Sequence, residues 1–203
     1  MEALRRGDDG QRRCGWGASA DYLSYHDEEW GRPVTSDDGI FERLCLEAFQ
    51  SGLSWLTILR KRESFRSAFA GFRIEKVARF GPGDVERLMA DAGIVRNRKK
   101  IEAAVANARA AAALDTPLAE LAWGHRPRGR RPAARSLEDL PSVTPESTAL
   151  ARELKERGFR FVGPTTAYAL MQACGIVNDH VAGCWVRAEV ERERRLAISS
   201  AGL

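Results

Sequence analysis

Cys14 and His26 near the start of this 203-residue chain, and His180 and Cys184 near its end, are residue types that ligate borderline-soft metal ions. Together they spell a Cys2His2 zinc site that would tie the two ends of the chain to each other. His180 and Cys184, spaced i, i+4, would project from one face of a helix, while the gap from Cys14 to His26 needs a loop. Four protein donors complete a tetrahedron and leave no position for water or substrate, so such a zinc would be structural and the chemistry must lie elsewhere. Spacing alone leaves a second reading open, because a chain with three histidines and four cysteines can place two of them four apart by chance. Cys45 and Cys174 lie in apolar helical stretches and read as small core residues. His125 lies in an Arg/Pro/Gly run and reads as solvated.

The elements that would position these residues are helical. Residues 1–12 are polar and charged without periodicity and are expected to be a disordered leader. From Ser36 or Asp37 as N-cap, Ile40, Phe41, Leu44, Cys45 and Ala48 form one helical stripe that ends near Ser51-Gly52. Glu47 falls within about 20° of Ile40 on the helical wheel, at the border of that stripe, where its bland reading is an edge acid paired with an arginine. Ser54 caps a second helix with Leu56, Ile58, Leu59, Phe65 and Phe69 inward. Short helices are expected over Ile74–Phe80 and Asp84–Ala90, and a longer one from Asn97 to Leu114. Residues 115–147, with Arg126, Arg128, Arg130, Arg131 and Arg135 among Pro and Gly, are expected to be a mobile loop. Helices return up to Gly158, from Pro164 to Cys174, and from Asp179 into the 190s, with Asp179 as the last cap and 191–203 as a tail. Nothing reads as a sheet, so the expected class is all-α, one domain over 13–190 in two packed lobes. Between Gly158 and Pro164 a short glycine-flanked turn joins two helices. Either it is an ordinary connection, or its exposed amides and the helix start behind it bind an anion such as a DNA phosphate.

A hydrophobic content of 44% suffices for a real core, and no apolar run approaches the roughly 18 residues of a membrane span. The net charge of +4 permits a polyanionic partner without demonstrating one. Unpaired thiols without a signal peptide point to a reducing, cytoplasmic setting, where Cys/His spacing favours metal over disulfide.

Four runs carry a family resemblance: Cys14-Gly15-Trp16; Tyr25-His26-Asp27-Glu28-Glu29-Trp30-Gly31; Leu46-Glu47-Ala48-Phe49-Gln50-Ser51-Gly52-Leu53-Ser54-Trp55; and Met171-Gln172-Ala173-Cys174-Gly175-Ile176-Val177-Asn178-Asp179-His180. In order and spacing they resemble the type I DNA-3-methyladenine glycosylases of the helix-hairpin-helix superfamily, over roughly Arg12 to Val186. The resemblance implies a helix-hairpin-helix glycosylase-like fold with the termini joined by structural Zn2+ on Cys14, His26, His180 and Cys184. It implies a monofunctional enzyme of base excision repair, acting as a monomer on double-stranded alkylated DNA, that flips 3-methyladenine and hydrolyses its N-glycosidic bond. Glu47 and Tyr25 would be catalytic, with Tyr22, Trp30, Trp55 and Asn178 around the base. Gln50, Gly52 and Leu53 would form the wedge that fills the vacated stack, and Arg160, Val162, Gly163 and Thr165 would meet phosphates, with Lys99 and Lys100 as lesser candidates. Trp16 is expected to brace the zinc loop or the pocket floor. Asn178 stands where many members of the superfamily carry a catalytic Asp, and it can supply neither that charge nor a base. The Arg-rich stretch departs from the family pattern. A zinc-stabilised DNA-binding module without chemistry, or a glycosylase for another purine lesion, are the competing readings.

Overall fold

The computed structural model describes residues 2–129 and 131–200. Met1, Arg130 and the last three residues of the expected tail lie outside it. A helical core is assembled around α1 (Asp37–Gln50), which packs against α2 (Trp55–Ala68), α3 (Ile74–Val77), α5 (Arg98–Ala112), α6 (Leu118–Gly124) and α8 (Pro164–Ala173). Two further helices, α4 (Pro82–Ala90) and α7 (Pro145–Glu156), pack on α5 and α8 respectively.

The helix starts follow local chemistry. Ser36 Oγ accepts the Gly39 amide, Ser54 Oγ the Thr57 amide, and Asn97 Oδ1 the Lys100 amide, each satisfying an amide that the first turn leaves unpaired. At α7, Thr144 and Ser147 exchange hydrogen bonds reciprocally, with Pro145 in the first helical position, where its missing N–H costs nothing. Ile40, Phe41, Leu44, Cys45 and Phe49 of α1 are buried together, and Cys174 joins them as expected.

Four regions differ from expectation. The leader is ordered: β1 (Leu4–Arg6) and β2 (Arg12–Cys14) pair antiparallel, Leu4 opposite Cys14. Gly10 turns the ribbon at a φ of 77°, and Arg13 is held by Asp9 and Asp27, so the ribbon is fixed by ion pairs rather than by an apolar alternation. Within the expected loop, α6 forms because Leu118, Ala119, Leu121, Ala122 and Trp123 close over α1, with Trp123 Nε1 donating to the Val34 carbonyl. Its first amide turn is completed by Asp37 of α1, which accepts from Ala119. His125 ends this helix half-buried, paired with Glu153 rather than solvated.

The expected last helix begins later and runs further. Residues 178–186 are irregular, with Gly183 at a φ of 85° where a right-handed helix cannot continue. Asp179 caps nothing there, since its carboxylate accepts from Tyr168 Oη at 2.5 Å and Gln172 Nε2 at 3.0 Å. Helix α9 (Arg187–Ser200) occupies most of the expected tail. It is anchored by Val190 and by Glu189 and Glu193 on Arg32. Among the described residues no helix is long and apolar enough to cross a membrane.

Candidate functional site

The irregular 178–186 segment brings both metal-ligand pairs together. One ligand atom from each of Cys14, His26, His180 and Cys184 lies within 4.8 Å of the others, and all four residues are buried. Cys14 Sγ is 3.6 Å from His180 Nδ1, and Cys184 Sγ is 3.5 Å from His26 Nε2 and 3.6 Å from His180 Nδ1. Donors about 2.0–2.3 Å from the centre of a tetrahedron have edges of about 3.5–3.8 Å, so the group could hold a four-coordinate metal ion. The outward nitrogens are fixed as such ligation requires. His26 Nδ1–H donates to Asp27 Oδ1 at 2.7 Å and His180 Nε2–H to the Trp30 carbonyl at 3.0 Å. Asp27 is in turn gripped by Arg13 and by Trp185 Nε1, and the Val181 amide donates to Cys14 Sγ.

The aromatic residues flank this group. Trp16 meets Tyr22, Tyr25, His26 and Trp30, with ring centres 4.9–6.3 Å apart, so it braces both the ligand loop and the pocket wall. Trp30 packs edge-on against Trp16 and His180, which places it as a support of the histidine. Tyr25 is buried in a single π-helical turn, Tyr25–Glu29, and its ring centre is 5.4 Å from that of Trp55 at the start of α2. Arg62 of α2 binds Glu29 through both terminal nitrogens, at 2.5 and 2.8 Å, and so locks the turn bearing Tyr25 to the helix bearing Trp55. Trp55 Nε1 is buried and has no hydrogen-bond partner among the described residues, an orphaned donor next to the Tyr25 ring.

Glu47, on the helix that leads into the Gln50–Leu53 turn, is only 7% exposed and forms no hydrogen bond or ion pair among the described residues. Burial pushes its carboxyl up to about 8 from 4.5. The Tyr25 phenol is raised too, by burial and then by the charge of Glu47. The arginine-paired edge acid is therefore not what the fold makes of this residue.

Gln50, Gly52 and Leu53 form the turn after α1. Gly52 adopts a φ of 82°, the Leu53 amide donates to the Gln50 carbonyl, and Leu53 stands 40% exposed rather than in the core. Lys100 does not face solvent. It is buried, and its ammonium donates to the carbonyls of Phe49 and Ser51 at 2.8 and 2.5 Å, holding the last turn of α1. Lys99 beside it is exposed. Two turns along α5 on the same face, Asn107 accepts the Arg160 amide at 2.7 Å and donates to the Arg160 carbonyl at 3.0 Å. One helix thus sets both the exposed Leu53 turn and the Gly158–Gly163 turn. Neither residue stands out in the sequence, because a polar side chain on a helix gives no sign of a backbone partner some fifty residues away.

In the Gly158–Gly163 turn, Val162 is buried and Phe161 is exposed at a positive φ of 55°, a left-handed conformation costly for an aromatic residue. Gly163 starts α8 without a side-chain cap and Pro164 has no N–H, so the amides of Thr165 and Thr166 precede the first bonded one, Ala167 to Gly163. Asn178 is not with the aromatic pocket. Its amide donates to the Arg187 carbonyl and Glu191, and it lines a separate groove beside α9.

Replacing Lys100 by Met should remove roughly 2 kcal/mol of stability, as two carbonyls lose a charged donor, while Lys99→Met should cost under about 0.5 kcal/mol. Denaturant unfolding of the two variants checks this, and equal effects would contradict the clamp.

This geometry has counterparts. Residues 16–188 match the model of the methyladenine glycosylase family. The chain is 48% identical over 180 residues to DNA-3-methyladenine glycosylase 1 of Escherichia coli K12, covering 85% of this chain and 95% of that one. It is 42% identical to the Haemophilus influenzae DNA-3-methyladenine glycosylase, covering 85% and 96%. A solved 3-methyladenine DNA glycosylase I superposes with a TM-score of 0.81 at 46% identity, over 85% of this chain and 98% of that one. A Tyr-to-Phe variant solved in complex with 3-methyladenine superposes with a TM-score of 0.79 at 34% identity, over 83% and 93%. With its fold, its order of motifs and nearly its whole length shared, the chain belongs to the methyladenine glycosylase family.

Proposed function

We propose that the protein is a monofunctional DNA glycosylase that hydrolyses the N-glycosidic bond of 3-methyladenine in alkylated double-stranded DNA, acting as a monomer in the cytoplasm and leaving an abasic site. Family membership supports the reaction class. The observation that carries the substrate is Glu47, a carboxyl desolvated without a cation, whose charge acts on Tyr25, the ring that meets Trp55. N3-methylation gives the sugar-linked adenine a positive charge that the normal base lacks. With the pocket empty near neutral pH, Glu47 is largely protonated, and a stacked cation drives that proton off. A neutral base cannot. At about 4 Å and an effective dielectric near 20 the attraction is on the order of 4 kcal/mol before desolvation, enough to exclude most normal bases.

The same charge leaves the base as the bond breaks, so attraction to the bound cation serves selection more than rate. Methylation already activates the leaving group, which agrees with Asn178 in place of an acid and with no lysine free to form a Schiff base in the pocket. Tyr25 and Trp55 flank the base, with Tyr22 and Trp30 supporting the wall through Trp16. Leu53 is the wedge, with Gln50 and Gly52 shaping its turn. In this helix-hairpin-helix reading, phosphate is met by the amides of Thr165 and Thr166 behind Gly163, with Arg160 beside them and Val162 anchoring the turn.

Zn2+ is the metal that suits two thiolates and two imidazoles at these separations, and it would supply only structure, since all four positions are taken by protein. Its residues adjoin the pocket wall: His26 follows Tyr25, and His180 packs on Trp30.

Incubation with methylated duplex should release 3-methyladenine, identified by chromatography, with kcat/KM rising roughly tenfold per pH unit until it levels above about 8. Glu47→Gln should flatten that profile and lose at least about a hundredfold. No released base would sink the enzyme reading, and a Glu47→Gln variant that kept its preference for methylated over undamaged duplex while losing turnover would sink the selective role. Mass spectrometry of the native protein should find one zinc. Cys184→Ser should abolish it, lower the melting temperature, and weaken free-base binding by about tenfold or more; a zinc-free, folded variant with unchanged excision would contradict the coupling of clamp to pocket.

A further inference from the structure

Helix α9 runs past the family-matched residues, which end at Ala188, and with the Arg-rich segment it encloses a groove of about 930 Å³. Arg131, Arg135, Arg187, Arg194 and Arg195 line it. Three carboxylates also line it, and two of these are taken by neutral donors. Asp179 accepts from Tyr168 and Gln172, and Asp139 from the amides of Arg135 and Ser136. Among the described residues only Glu191 forms an ion pair with an arginine of the groove, holding Arg194 and Arg195, while Asp179 lies in the field of Arg131 and Asp139 in that of Arg135. Neither Arg131 nor Arg135 forms an ion pair among the described residues. The pKa of the Arg194 guanidinium is lowered by burial, against the pull of Glu191, and further by the like charges of Arg126, Arg195 and Arg131 around it.

Two of the groove's residues, Arg131 and Asp179, bond to α8, the helix that follows the Gly158–Gly163 turn. Thr165, Tyr168 and Gln172, spaced i, i+3, i+7, share one face of that helix. Thr165 carries one of the two free amides behind Gly163, Tyr168 Oη accepts from Arg131 at 3.3 Å, and Gln172 reaches Asp179. From Thr165 to Gln172 is about 10 Å of helix rise, the axial span of about three phosphates on one strand.

We propose that this groove holds the sugar–phosphate backbone of the substrate duplex, continuing along the same strand the grip made by the Thr165 and Thr166 amides. The proposal rests on the glycosylase reading for its ligand. Polyanion binding of this kind neutralises phosphates without reading bases, so it strengthens affinity and steepens the salt dependence.

Arg135 and Arg195 are exposed, so Arg135→Gln/Arg195→Gln leaves the packing intact. Binding of an undamaged duplex is measured across a salt series, a readout independent of base release. The expected result is a slope of log K against log salt that is shallower by about 2, with KM for methylated duplex raised severalfold and kcat and free 3-methyladenine affinity unchanged. An unchanged slope and KM would overturn the proposal while leaving the glycosylase reading standing. Saturable binding of inorganic phosphate by the native protein, lost in the variant with no change in slope, would also overturn it in favour of a small-anion site. Absence of base release by the native protein would instead overturn the glycosylase reading.

Discussion

A carboxyl group held out of water with no cation beside it is the constraint around which this molecule is arranged. Glu47 sits at the edge of the apolar stripe of α1, and the fold offers it neither arginine nor amide. In most proteins such a group is replaced or paired, because an ionised carboxylate in a low-dielectric site is strongly disfavoured. In the function proposed above, the missing partner is the positive charge of the methylated base. Discrimination then follows from electrostatics, since only a base that brings its own positive charge compensates the desolvation.

The surrounding elements keep that pocket in place. Arg62 and Glu29 lock Tyr25 to Trp55, Trp16 joins the pocket wall to the ligand loop, and the Cys/His group closes a loop of 166 residues between Cys14 and His180. Helix α5 acts as a ruler on the other side. Lys100 and Asn107, two turns apart, fix the exposed Leu53 turn and the Gly158–Gly163 turn by bonding backbone groups rather than side chains. Both exposed turns thus hang on a rigid helix, which would suit the proposed reaction, in which a base must be held extruded from a duplex.

What could be read from the chain was what depends on neighbours in sequence. The caps Ser36 and Ser54 and the stripes of α1, α2 and α5 are local patterns, and all three helices form where those patterns place them. The Cys/His separation was legible as a ligand set, but not its conformation, because Gly183 turns the backbone where an i, i+4 spacing suggested helix. The β-ribbon, α6 and α9 were hidden for a common reason. Each is stabilised by distant partners: Asp27 for Arg13, Asp37 and Val34 for α6, and Arg32 for α9. Asn178, expected at the base, has its amide bonded to Arg187 and Glu191 of α9.

The unpaired carboxylate also leaves a mark on the fold itself. A group whose folded pKa is raised from 4.5 to about 8 binds its proton more tightly in the native state, so ionisation in the unfolded chain draws stability away as pH rises between those values. The most direct measurement is therefore denaturant unfolding of the native protein and Glu47→Gln from pH 4 to 9. The variant should match the native protein near pH 4, gain on it steadily, and exceed it by roughly 5 kcal/mol above pH 8. A stability difference independent of pH, or a variant that is the weaker of the two at neutral pH, would contradict the claim that Glu47 is held uncompensated.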